Sequence, residues 1–121
     1  MKRILIILAM LMAITGIQAQ KISHIEATRS WYYVYDDNGK KVHTFSTTQG
    51  EVVAYSDSFY IVKHGSWYYT YDAKGKKLYT FSVSNVGEVL NAAGDTFTSR
   101  KGSWIYTWDK KGKKIATRSA H

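Results

Sequence analysis

The chain contains no cysteine and no proline, and only 9 of its 121 residues are acidic. Without cysteine there are no disulfides, so packing or self-association must supply the stability that small secreted domains often take from cross-links. Without proline, no β-type run is interrupted by a residue that cannot donate to a strand ladder. The shortage of acids leaves little material for a general acid/base pair. Long apolar runs are scarce as well. The longest, Ile4 to Ile14, spans eleven residues, too short for a helix that needs about 20 to cross a bilayer.

That run follows Lys2 and Arg3 and ends at Thr15-Gly16, ahead of Ile17-Gln18-Ala19. A short basic region, an apolar stretch and a small residue at the end make a secretory signal peptide. Residues 1–19 are therefore expected to be removed after Ala19, leaving 20–121 as one domain with no membrane span. No cysteine lies near the cut, which excludes a lipid-anchored form. The expected location is a Gram-negative periplasm or exterior. Losing Lys2 and Arg3 from the 17 basic residues still leaves a clear excess over acids, a balance that suits anionic surfaces as well as plain solubility.

What the chain has in abundance is aromatic residues, 15% of the total, and they recur. Residues 30–46 (SWYYVYDDNGKKVHTFS), 66–82 (SWYYTYDAKGKKLYTFS) and 103–119 (SWIYTWDKKGKKIATRS) align without gaps. Trp31, Trp67 and Trp104 lead the copies at spacings of 36 and then 37 positions, and a fixed period of this size signals a repeat architecture. Gly50-Glu51-Val52-Val53 answers Gly87-Glu88-Val89-Leu90, and Asp57 is matched to Asp95, each two positions ahead of a phenylalanine. In the middle copy, strands are expected at 51–56, 59–64, 67–71 and 77–81, because aromatic and β-branched residues alternate between turn residues. No 3.6-residue stripe appears beyond the signal peptide, so helices are not expected. Asp36, Asp72 and Asp109, each three residues before a glycine, predict type I turns with the glycine in a left-handed bulge. The first copy starts at its second strand, near Lys21 to Thr28, so eleven strands are expected in an antiparallel meander.

This order of strand, turn, strand, aromatic strand, Asp-x-x-Gly and strand resembles the blades of β-propellers over nearly all of 20–121. The resemblance implies sheets packed face to face around an axis. Propellers have at least four blades as a rule, and three incomplete ones do not close. Either two chains combine, a six-bladed pair being the natural guess, or the units curl into a β-trefoil-like or other small β-barrel. Trp-Tyr-Tyr…Asp-x-x-Gly also bears a weaker similarity to glucan- and choline-binding wall repeats.

Recurrence separates structural from singular residues. Asp36, Asp72, Asp109, Glu51, Glu88, Asp57 and Asp95 sit at recurring positions with turn or strand-end explanations, leaving Glu26 and Asp37 as unique acids. His24, His43, His64 and His121 show no metal-type spacing. Asp36-Asp37-Asn38-Gly39 lacks the downstream acid of a calcium loop, and no G-x-S-x-G elbow occurs. Neither enzyme activity nor a cofactor or metal is expected, and a small hydrolase using Glu26 or His64 is the outlying alternative.

Two surfaces remain. Period-2 geometry places Trp31, Tyr33 and Tyr35 on one face, with Trp67, Tyr69, Tyr71 and Trp104, Tyr106, Trp108 as equivalents. Such rows can stack on sugar rings, although the expectation is that they form the core, since large exposed aromatic patches are rare. The second surface is the lysine pairs Lys40-Lys41, Lys76-Lys77 and Lys113-Lys114, a periodic basic edge suited to anionic polymers or to blocking edge-to-edge strand pairing. The expected function is non-enzymatic binding of carbohydrate or another polyanion, with Trp31, Trp67, Trp104 and the six lysines as contact residues. Nucleic acid is not the expected partner. The alternative is a structural protein that forms homo-oligomers through open blade edges.

Overall fold

The computed structural model describes residues 21–120; the expected signal peptide and His121 lie outside the described residues. Among the described residues eleven strands form three antiparallel sheets, each a meander in chain order. The first sheet holds β1 (Ile22–Ala27), β2 (Trp31–Asp36) and β3 (Lys41–Ser46). The second holds β4 (Glu51–Tyr55), β5 (Tyr60–His64), β6 (Trp67–Tyr71) and β7 (Lys77–Ser82). The third holds β8 (Glu88–Ala93), β9 (Thr96–Lys101), β10 (Trp104–Asp109) and β11 (Lys114–Ser119). The three-four-four count and the incomplete first sheet agree with the phase of the repeat. No strand is shared between sheets, so the barrel and trefoil alternatives do not hold.

The Asp-x-x-Gly connections form as their chemistry requires. Asp36 Oδ1 accepts the amides of Asn38 and Lys40, each at 2.9 Å, and Asp72 Oδ1 accepts those of Lys74 and Lys76. Gly39, Gly75 and Gly112 take φ of 81°, 86° and 109°, values that glycine reaches without a steric penalty. Each hairpin carries a register shift next to its turn, such as that between Val34 and Tyr35. The links between sheets depart from the expectation of no helix. Thr47–Gln49 is a 3-10 turn and Val83–Val86 a one-turn helix, α1. Ser46 and Ser82 cap them, their hydroxyls accepting the amides of Thr48 and Ser84, an N-cap device open to any serine that ends a strand.

The three sheets pack face to face with the second in the middle. On one side, Val34 and Phe45 of the first sheet meet Tyr60 and Val62 of the second. On the other, Ile61, Tyr68 and Phe81 meet Phe97 and Trp108 of the third, with Val86 of α1 closing the cluster. Phe45 stacks on Tyr60 with ring centroids 5.2 Å apart, and Phe81 meets Phe97 edge-on at the same distance. Hydroxyls tie successive sheets through backbone atoms: Tyr68 donates to the Gly87 carbonyl at 2.8 Å and Thr70 to that of Lys110 at 2.7 Å.

Three expectations are corrected by this packing. The aromatic row does not form the core as a unit: Trp31, Trp67 and Trp104 are 46%, 47% and 50% exposed, while Trp108, at the other end of its row, is buried. The neighbouring sheet covers only the end of each row next to the Asp-x-x-Gly turn. The opposite faces, with Val34, Phe45, Tyr68 and Phe81, supply much of the buried area. Second, Asp57 and Asp95 are not equivalent. Phe97 lies opposite Trp108 as Tyr60 lies opposite Tyr71, so strand register aligns Phe97 with Tyr60, not Phe59, and Asp95 with Ser58. Third, His43, for which the sequence offers no role beyond the absence of metal-type spacing, packs against the next sheet. Its ring occupies the space that a side chain on Gly75 of the next sheet would need.

Candidate functional site

Because β2 and β3 pair with Tyr35 opposite Lys41, the second lysine of the pair emerges on the same face as the aromatic row. Its side chain reaches back along the strand toward Tyr33. Lys41 Nζ lies 4.4 Å from the centroid of the Tyr33 ring. Lys77 stands 4.8 Å from Tyr69 and Lys114 4.3 Å from Tyr106. All three lysines are exposed and the tyrosines half-buried, so each contact contributes about 0.5–1 kcal/mol.

The two surfaces read from the sequence are therefore one surface, repeated three times. Each copy runs from a half-exposed tryptophan through a tyrosine to a lysine ammonium held over the tyrosine ring. The first lysine of each pair stands apart. The carbonyls of Lys40, Lys76 and Lys113 accept the amides of Asp36, Asp72 and Asp109 and so close the turns, while their exposed side chains widen the basic edge. Chemically, a row of this kind offers a flat apolar ring, a polar aromatic edge and a fixed positive charge. A pyranose with a carboxylate or sulfate substituent presents the complementary set: a ring face for the tryptophan and an anionic group for the ammonium.

Groups suited to catalysis are dispersed. His24 stacks on Tyr35 with centroids 4.7 Å apart, and its Nε2 lies 3.1 Å from Glu26 on an exposed face. His64 is exposed at the end of β5. Among the described residues no group of three or more His, Cys, Asp and Glu could hold a metal. Asp95 accepts a hydrogen bond from Ser58 Oγ at 2.8 Å and pairs with Lys110 Nζ at 3.0 Å. These contacts, Ser58 first, hold its carboxyl below the ordinary aspartate range, and the Ser58 bond joins the second sheet to the third. Sequence matching missed this singular role because it treated Asp95 as a repeat of Asp57.

An open cleft of about 510 Å³ lies beside β1, between Ile25 and Ala27 on one side and β4 and β8 on the other. Polar and apolar surface line its walls about equally, with Tyr55 and Leu90 partly open to solvent. Tyr32 Oη accepts the Val52 amide at 3.2 Å within this wall. No family model matches the chain, and no curated protein matches it.

Proposed function

We propose that the chain is an exported, non-enzymatic binding protein made of propeller-blade-like sheets, and that its ligand is an anionic polysaccharide. One observation carries this reading: in all three sheets a half-exposed tryptophan shares a face with a lysine held over a tyrosine ring. Core packing accounts for Trp108, and turn chemistry accounts for the repeated aspartates and glycines. Neither accounts for three outward tryptophans that share a face with three ammonium groups placed over tyrosine rings. A repeated ligand read by repeated rows gains affinity from multivalency, so individually weak contacts suffice.

The test is a polysaccharide array carrying sulfated, uronic-acid and neutral polymers, probed with the purified 20–121 segment, which contains every described strand. Binding should favour the two anionic classes. It should be lost in a Lys41→Ala/Lys77→Ala/Lys114→Ala variant that melts within a few degrees of the parent. Failure to bind any polymer would sink the reading.

Assembly is a second reading, favoured by a separate observation. Among the described residues the first sheet holds no strand corresponding to β4 and β8, so one edge of β1 has no partner strand there, and unpaired edges recruit other chains. Light scattering on the same segment decides it, since a strict monomer at high concentration would contradict assembly.

A further inference from the structure

The two internal interfaces define what each position of a sheet meets on its neighbour, and so what the two outermost faces would meet. The outer face of the first sheet carries His24, Glu26 and Tyr35. The outer face of the third carries Ile105, Thr107, Ala116 and Arg118, by the alternation of the β10–β11 pairing. We propose that a second copy of this chain covers these faces, the third sheet of one copy docking on the first sheet of the other. This rests on the assembly reading and adds to it the faces and the residues that pair.

Three correspondences between the end faces support it. Arg118 lies opposite Ile105 as Phe81 lies opposite Tyr68 and Phe45 opposite Tyr32. Those phenylalanines reach Phe97 and Tyr60 of the following sheet, and the equivalent position of the first sheet is His24, paired with Glu26. Where the internal interfaces place ring on ring, the end faces place a guanidinium on one side and a carboxylate beside a stacked imidazole on the other. Opposite charges at one symmetry-related contact make the faces complementary.

The second correspondence concerns a hydroxyl. Tyr32 and Tyr68 each use theirs on the backbone entering or beginning the next sheet's innermost strand, at Val52 and Gly87. Among the described residues the first sheet has no such strand, and the residue that would reach for it is Ile105, which has no hydroxyl to leave unpaired. A face meant only for water would gain nothing from exchanging tyrosine for isoleucine. The third is a retained donor. Thr70 donates to the carbonyl of Lys110 in the next turn; its equivalent, Thr107, is kept, and the carbonyl it would reach is that of Asp37.

Docking of this kind leaves the aromatic rows available. Trp67 and Trp104, whose sheets are covered on that face, are 47% and 50% exposed, and Trp31, whose face is open, is 46% exposed. A neighbouring sheet thus leaves the tryptophan where it was, and polysaccharide binding and self-association do not compete.

Charge reversal provides the test, because Glu26 and Arg118 are both exposed in the single chain. Sedimentation of the 20–121 segment over a concentration series should show a species of twice the chain mass. Glu26→Arg and Arg118→Glu should each weaken association by about tenfold or more, the effect of setting like charges together at a contact. The double variant Glu26→Arg/Arg118→Glu should recover to within about threefold of the parent, as a direct pair requires. A monomer at every concentration would overturn both the pairing and the assembly reading. Association unchanged by either single reversal, or not recovered in the double variant, would overturn the pairing and leave assembly through another surface.

Discussion

The imidazole of His43 lies over Gly75 of the adjacent sheet, so that a β-carbon at position 75 would overlap the ring. Tyr79 covers Gly112 in the same way, whereas Gly39 meets nothing within 4 Å. Three glycines with the same local turn are thus unequal in their surroundings. Gly87 differs again, since its β-carbon would strike the backbone carbonyl of Arg100, which cannot rotate aside. Gly39→Ala should cost about 1 kcal/mol, the penalty for a side chain in the left-handed region. Gly75→Ala should cost about 2 kcal/mol, since His43 must also move, and Gly87→Ala about 3 kcal/mol or more. Urea denaturation of the three variants checks the order. Equal losses would show that the sheets do not abut as described.

His43 also sets a response to acid. Burial holds its pKa below the usual histidine value, with the Asp72 charge opposing. The folded state therefore prefers the neutral ring. Its stabilisation is present above the unfolded-state value of about 6.5 and is lost as the pH falls through the folded value. Urea midpoints should decline between pH 7.5 and 5, and His43→Phe should reduce that decline. The Asp95 contacts do not interfere, because a lowered carboxylate loses its contribution only below about pH 4.

Alkali should act through Tyr60. Burial, followed by the charges of Tyr71 and Asp72, raises its hydroxyl far above the ordinary tyrosine value, and burial raises Tyr68 and Tyr71 as well. A raised folded value means that stability is complete below about pH 10 and falls as the unfolded chain ionises above it. Denaturation at pH 9 and 11 should show this loss, and Tyr60→Phe should lessen it. Lysine deprotonation is common to both proteins, so their difference reports Tyr60.

Ser99 is fully buried and accepts the indole N–H of Trp108 at 2.9 Å. Ser99→Ala would strand that donor in the interface between the second and third sheets, at a cost of about 1–3 kcal/mol. A double-mutant cycle with Trp108→Phe measures the bond itself. Additive losses in the cycle would mean that the indole is hydrated rather than bonded to serine.

Much of this fold is legible in the sequence because its strongest signals are local. Asp36, Asp72 and Asp109 with their glycines mark the turns, and alternation marks the strands between them. Which face of a strand meets a neighbour is not a local property. Period 2 separates Trp67 from Tyr68 but does not say that only Tyr68 is buried, and the core was therefore expected on the tryptophan side. Asp57 and Asp95 misled for a related reason: both precede a phenylalanine by two residues, but hydrogen-bond register, not letter spacing, decides equivalence. The binding surface was visible as two halves. A hairpin pairing that sets Lys41 opposite Tyr35 already places the lysine on the aromatic face, and that was the available signal for joining them.

Titration calorimetry of the 20–121 segment against a sulfated polysaccharide such as heparin, repeated at rising salt, tests the binding role most directly. Saturable binding should weaken steadily with salt, as ammonium–sulfate contacts require. It should fall at least about tenfold in a Trp31→Ala/Trp67→Ala/Trp104→Ala variant whose thermal unfolding stays near that of the parent, consistent with stacking of about 1 kcal/mol or more per ring. Absence of binding to the parent, or binding that survives both this variant and the triple lysine variant, would contradict a role for the tryptophan–tyrosine–lysine rows.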